Sequence, residues 1–152
     1  MNEGRTAPDF ELPNQEGEPV RMSALRGRRV VLYFYPKAAT PGCTTQACGV
    51  RNHLPDYEDA GAVVLGVSPD PIKRIKAFHD DQGLNFDLLA DEDHAVAESY
   101  GVWVEKSMYG KTHWGNERTT FVIDEDGMVR SILRKVKPAE HDELVLGALS
   151  RP

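Results

Sequence analysis

Two cysteines, Cys43 and Cys48, stand five residues apart in the run Pro36-Lys37-Ala38-Ala39-Thr40-Pro41-Gly42-Cys43-Thr44-Thr45-Gln46-Ala47-Cys48. The run follows an apolar, strand-like segment and leads into a helical pattern from about Cys43 to Ala60. In open α/β sheets the C-terminal edge of the strands is where ligands bind. A sulfur in the first helical turn meets free backbone N–H groups and the positive end of the helix dipole. Both favour the thiolate, which is the nucleophilic form. Thr40, three residues before the sulfur, brings a hydroxyl able to donate or accept a hydrogen bond to a substrate oxygen. Pro36 and Pro41 restrict the loop, and Pro41 can shield the sulfur from water. Gly42 completes the approach to the helix. A buried cysteine is otherwise just a small apolar side chain. Here the prolines, the threonine and the helix start favour the reactive reading.

Cys48 poses a geometric problem. In an unbroken helix the two Cα atoms lie about 8.6 Å apart and the side chains diverge by about 140°. A disulfide needs Cα atoms closer than roughly 7 Å. A bond between them therefore requires the first helical turns to unwind. The plain alternative is that Cys48 is only a buried side chain. Arg118 precedes the strand-like Thr119–Ile123 run and could reach the sulfur as a cation, stabilising a thiolate and a leaving oxygen. Spacing alone favours the plainer reading, since most such arginines are surface residues. No metal site is expected. Cys43, Cys48 and His53 do not share a helix face, and no Cys-x2-Cys or His-x3-His pair occurs.

The elements that must position these groups alternate along the chain. Val30–Tyr35 is β-branched and aromatic without polar alternation, as in a strand buried on both faces. Val63–Val67 reads the same way, and Phe86–Leu89 as a shorter strand. Phe10–Leu12 and Val20–Met22 are short extended segments. Asp70 is expected to cap a helix with Pro71 as its first residue, ended by Gly83. His94–Tyr100 reads as a short helix, and residues 103–118 as irregular. Thr119–Ile123, the turn Asp124–Gly127 and Met128–Val136 form a hairpin. Pro138 opens a C-terminal helix. The result is an α/β architecture with a mixed central sheet flanked by helices, formed as one domain over residues 1–152.

Composition narrows the classes. The chain has 152 residues, with 24 acidic and 18 basic side chains and a net charge of −6. Phosphate binding needs clustered Lys and Arg, so neither nucleic acid nor an anionic membrane surface is an expected partner. No apolar run approaches the ~20 residues of a bilayer span, and no signal peptide is visible. Two cysteines do not make a disulfide scaffold, so the expected compartment is the reducing cytoplasm.

Pro36-x3-Thr40-x2-Cys43 resembles the peroxiredoxin active-site motif. The longer Thr40-Pro41-Gly42-Cys43-Thr44-x3-Cys48 resembles the Q-type peroxiredoxins, the bacterioferritin-comigratory-protein group. The resemblance extends through Ala7-Pro8-Asp9-Phe10, Gly66-Val67-Ser68, Leu89-Ala90-Asp91, Tyr100-Gly101-Val102 and Arg118–Asp124. It implies a thioredoxin-like fold with an N-terminal extension. It implies Cys43 as the peroxidatic and Cys48 as the resolving cysteine, joined as a disulfide during turnover. Thr40, Arg118 and Pro36 would complete the peroxide pocket, with no metal, haem or flavin. The implied partners are hydrogen peroxide or organic hydroperoxides and a dithiol reductant such as thioredoxin, with the protein a monomer. Ala38-Ala39 depart from the more polar residues often found there, and are expected to tune loop solvation. The competing readings are a thioredoxin-fold dithiol oxidoreductase or redox sensor, which would not need Thr40 and Arg118, and a non-catalytic binding module. Trp103, Met108, Tyr109 and Trp114 could line an apolar mouth or simply pack a loop.

Overall fold

The computed structural model describes residues 1–150. Nine strands and four helices follow in chain order: β1 Glu11–Pro13, β2 Pro19–Arg21, β3 Arg29–Phe34, α1 Pro41–Asp59, β4 Ala62–Ser68, α2 Ile72–Gln82, β5 Asp87–Ala90, α3 Ala95–Ser99, β6 Trp103–Met108, β7 Lys111–Asn116, β8 Thr119–Ile123, β9 Val129–Leu133 and α4 His141–Leu149. Five strands form the main sheet in the order β5-β4-β3-β8-β9. β3, β4 and β5 run parallel, while β8 is antiparallel to β3 and to β9. The expected mixed sheet is therefore present. Its parallel half arises from α1 and α2 crossovers, and its antiparallel half from the Asp124–Gly127 turn.

The continuous apolar run of β3 is explained by its central place. Val31, Tyr33 and Tyr35 point to one face, against Cys43, Ala47, Val50 and Tyr57 of α1 and Val145 of α4. Val30, Leu32 and Phe34 point to the other, against Phe10, Met22, Val96, Tyr100 and Val102. Alternate residues of one strand thus serve two cores, which removes any polar alternation.

α1 is unbroken although Pro55 lies inside it. A proline leaves the carbonyl four residues earlier without its helical donor. That carbonyl belongs to Arg51, and it accepts the Asn85 side-chain N–H at 3.2 Å instead. The Arg51 guanidinium in turn donates to the Gln82 carbonyl at the end of α2 at 2.5 Å. These bonds tie α1 to the end of α2 and to the segment that follows it. Gly83 ends α2 with φ +58°, the left-handed conformation that favours glycine.

Several expectations are corrected. Residues 103–118 are not irregular: β6 and β7 pair as a hairpin outside the main sheet, turning at Tyr109 (φ +53°) and Gly110 (φ +77°). Much of this ribbon faces solvent, so it carries charged and polar residues and lacks the apolar alternation that marks a half-buried strand. Asp70 does not cap α2. The helix starts at Ile72 after an extended Pro71 (ψ 160°), and the Asp70 carboxylate bonds elsewhere. α1 begins at Pro41, two residues earlier than expected, because proline suits a position whose N–H needs no partner. β9 is shorter than Met128–Val136. Pro138 opens a 3₁₀ turn, Pro138–Glu140, from which α4 continues at His141. Among the described residues no helix is long and apolar enough to cross a membrane.

Candidate functional site

The site lies where β3 ends and α1 begins. Tyr35 extends the parallel pairing, its N–H donating to the Val67 carbonyl at 3.0 Å. Its own carbonyl accepts the side-chain N–H of the buried Asn116 at 3.2 Å. The chain then turns through Pro36–Ala39. Ala39 sits at φ +66°, a conformation that costs a non-glycine residue energy. The Thr40 hydroxyl donates to the Lys37 carbonyl at 2.8 Å. Thr40 is the N-terminal flanking residue of α1, but its side chain does not cap the helix. Its carbonyl accepts both the backbone N–H and the hydroxyl of Thr44, each at 2.8 Å.

Cys43 falls in the first turn of α1 and is only 1% exposed. Among the described residues neither its N–H nor that of Gly42 has a backbone or side-chain acceptor, as expected for a helix start without a cap. Arg118, entering β8 from the opposite side of the site, places Nη2 3.4 Å from Cys43 Sγ. Its Nη1 donates to Gln46 Oε1 at 2.5 Å. Gln46 is fully buried, one turn after Cys43 on the same helix face. The guanidinium thus bridges the sulfur and the amide oxygen. Gly42 makes that approach possible: a Cβ there would lie 3.2 Å from Arg118 Nη2 and 3.4 Å from Pro138 Cγ.

A second cation stands near the sulfur. Lys106 of the hairpin is half-buried. Burial pushes its ammonium below the usual lysine value and Arg118 pushes it further, while Cys43 and Glu117 pull it back. Tyr33 and Tyr35 lie under the site. Burial raises both phenols, and proximity to Cys43 adds to the effect. Both stay neutral at neutral pH.

Cys48 is partly exposed, with its S–H directed to Gln82 Oε1 at 3.3 Å. Both cysteines are free. They share one unbroken helix, so they cannot bond in this conformation. Pro36 is half-buried at the start of the loop, and Pro41 is exposed as the first residue of α1. Trp103 stacks on His94 at 4.0 Å and packs into the second core, so it is a packing residue. Met108, Tyr109 and Trp114 are exposed on the hairpin.

The structure therefore brings Cys43, Arg118 and Gly42 into contact and sets Thr40 one turn before the sulfur. Cys48 stays apart. Sequence reasoning missed Gln46, Lys106, Asn116 and Asp70. Gln46 was accessible from its i+3 spacing to Cys43. The others come from remote segments and carry no local signal.

Residues 4–132 match the model of the AhpC/TSA family. The chain is 46% identical over 149 residues to peroxiredoxin Bcp of Escherichia coli K12, covering 98% of this chain and 96% of that protein. Among solved structures, a cysteine-to-serine mutant of Xylella fastidiosa PrxQ matches with a TM-score of 0.93 at 35% identity, covering 98% of this chain and 95% of the other. The Xanthomonas campestris bacterioferritin comigratory protein, described for its alkyl peroxide reduction activity, matches with a TM-score of 0.87 at 41% identity, covering 92% and 89%.

Proposed function

The chain belongs to the AhpC/TSA family, within its Bcp/PrxQ peroxiredoxins, and from that premise we propose that Cys43 is the peroxidatic cysteine of a thiol peroxidase. The fold is the thioredoxin-like one of peroxiredoxins, and the enzyme is an oxidoreductase. One observation carries the assignment of the sulfur: Arg118 Nη2 lies 3.4 Å from a cysteine that is 1% exposed at a helix N-terminus. A buried thiolate needs a paired cation, and here it has one.

The chemistry follows from the bonds each group has left to give. The Thr40 hydroxyl spends its proton on the Lys37 carbonyl, so its lone pairs remain to accept the O–H of a hydroperoxide. This orients the terminal oxygen towards Cys43. The thiolate attacks that oxygen and the O–O bond breaks. The Arg118 guanidinium and the unpaired N–H groups of the first turn stabilise the departing hydroxide or alkoxide, which takes up a proton. Cys43 is left as a sulfenic acid. Cys48 then attacks its sulfur, water leaves and a Cys43–Cys48 disulfide forms. That step needs the start of α1 to unwind, because the intact helix holds the sulfurs apart.

The substrates in this reading are hydrogen peroxide and organic hydroperoxides, the latter supported by the activity described for the Xanthomonas relative. Thioredoxin or a similar dithiol protein reduces the disulfide. Two free cysteines suit a reducing compartment, the cytoplasm, and the whole chain acts as one domain in a monomer. The test is peroxide consumption with a thioredoxin reducing system. Cys43→Ser should lose all turnover. Cys48→Ser should react with one equivalent of peroxide and then recycle poorly. Retained turnover in Cys43→Ser refutes the assignment. Thiol–disulfide exchange without peroxide consumption in the wild type would favour a dithiol oxidoreductase or redox sensor.

A further inference from the structure

We propose that Asp70 is a positioning residue of the peroxidase reaction, holding the strained loop that carries Thr40 one turn ahead of Cys43. The proposal rests on the reading of Cys43 as the attacking sulfur.

Asp70 lies two residues beyond β4, at the sheet edge where β3 delivers the loop. It is 6% exposed. Its Oδ2 accepts the Ala38 N–H at 2.7 Å and the hydroxyl of the buried Ser68 at 2.9 Å. The nearest cation, Arg74 Nε, is 4.0 Å from the other oxygen. Pro69 and Pro71 flank it, which limits its backbone and removes two competing N–H donors. A buried carboxylate is costly unless bonded. This one gives no cap to the helix that follows it. Its bonds go instead to the loop and to the serine that orients it.

The loop needs such a hold. Ala39 is left-handed at φ +66°, a strain that persists only where neighbouring structure fixes it. The bond to Asp70 fixes the residue before the strain, and the Thr40–Lys37 bond closes the same turn. Without the carboxylate, the turn relaxes and the Thr40 hydroxyl moves. Arg118 reaches the sulfur from the residue before β8, a segment outside the loop. Two duties are therefore separable: Arg118 stabilises the charged sulfur, while Asp70 places the peroxide through Thr40.

The experiment compares two reactions of Cys43 in full-length Asp70→Ala and Asp70→Asn, namely reduction of hydrogen peroxide and alkylation by iodoacetamide, the latter read at the Cys43 peptide by mass spectrometry so that Cys48 is counted separately. Alkylation needs the thiolate but not the peroxide contact of Thr40. Asp70→Ala should lower kcat/KM for peroxide by about tenfold or more, the scale of an ångström-level misplacement. Its alkylation rate should stay within about twofold of wild type, because the thiolate keeps its cation. Asp70→Asn keeps an acceptor oxygen and should recover peroxide reduction to within about threefold. An unchanged peroxide rate in Asp70→Ala overturns the proposal. So does an equal fall in both reactions, or an Asn variant as slow as the Ala variant. If Asp70→Ala does not fold, hydrogen exchange at the Ala38 amide of the wild type decides: slow exchange supports the clamp, and exchange at the rate of a free loop amide overturns it. Cys43→Ser is the separate control. Peroxide turnover that survives in it defeats the reading of the sulfur, whatever Asp70 does.

Discussion

Replacing Arg118 with alanine removes the one side-chain cation that, among the described residues, contacts the Cys43 sulfur. At 3.4 Å the full charge–charge interaction is about 5 kcal/mol at an effective dielectric of about 20. That figure is a ceiling, because water enters the space left by the guanidinium and replaces part of it. A hydrogen bond to a charged group contributes about 1.5–3 kcal/mol net. With each 1.36 kcal/mol a factor of ten in rate, peroxide reduction should fall roughly 10- to 150-fold. Gln46 Oε1 also loses its bond from Arg118, so the variant should be somewhat less stable. Arg118→Lys restores a point charge but cannot bridge the sulfur and the amide oxygen together, so it should be intermediate. The assay is kcat/KM for hydrogen peroxide at neutral pH, on variants shown by circular dichroism to be folded. An Arg118→Ala enzyme within about threefold of wild type would sink the argument, since the helix start alone would then suffice to activate the sulfur.

The oxidised, disulfide-bonded protein should lose hydrogen-exchange protection over residues 41–48 while the rest of α1 keeps it. An oxidised form with α1 fully helical would contradict the geometry of the pair. Acid stability offers a further check. Burial pushes the Asp124 carboxyl up, but the Met128 and Asp126 N–H groups and the Arg130 guanidinium outweigh it and hold it below the ordinary value of 3.8. A lowered folded value means a stabilising contribution that is present above pH 3.8 and lost as pH falls through the folded value. Asp124→Asn should cost about 1 kcal/mol at pH 7. Its deficit should shrink as pH drops below 3.8, read by thermal unfolding against wild type; a constant deficit would show that the charge plays no part.

The sequence by itself determined the buried strands, the helix start near the cysteines to within two residues, and the order of the main-sheet strands and the helices. These are local signals: an unbroken apolar run for β3, a Pro/Gly-containing loop before α1, glycine after the last turn of α2. It also determined the conflict between Cys43 and Cys48, because helical geometry depends only on their separation along the chain. The motif around Cys43, with Arg118 75 residues away, made the family legible. Spacing could not place Arg118 against the sulfur. That contact needs β8 to lie antiparallel beside β3, a pairing made across the whole chain. The hairpin β6–β7 was invisible because much of it is exposed to water, and water imposes no alternation on its residues. Asp70 was read as a helix cap because a carboxylate before a helix ordinarily serves the nearest free N–H groups. Only the tertiary structure decided otherwise. The parallel pairing of β3 and β4 brings Ala38 to Asp70, and the buried amide of a strained loop takes the carboxylate from the helix that follows it.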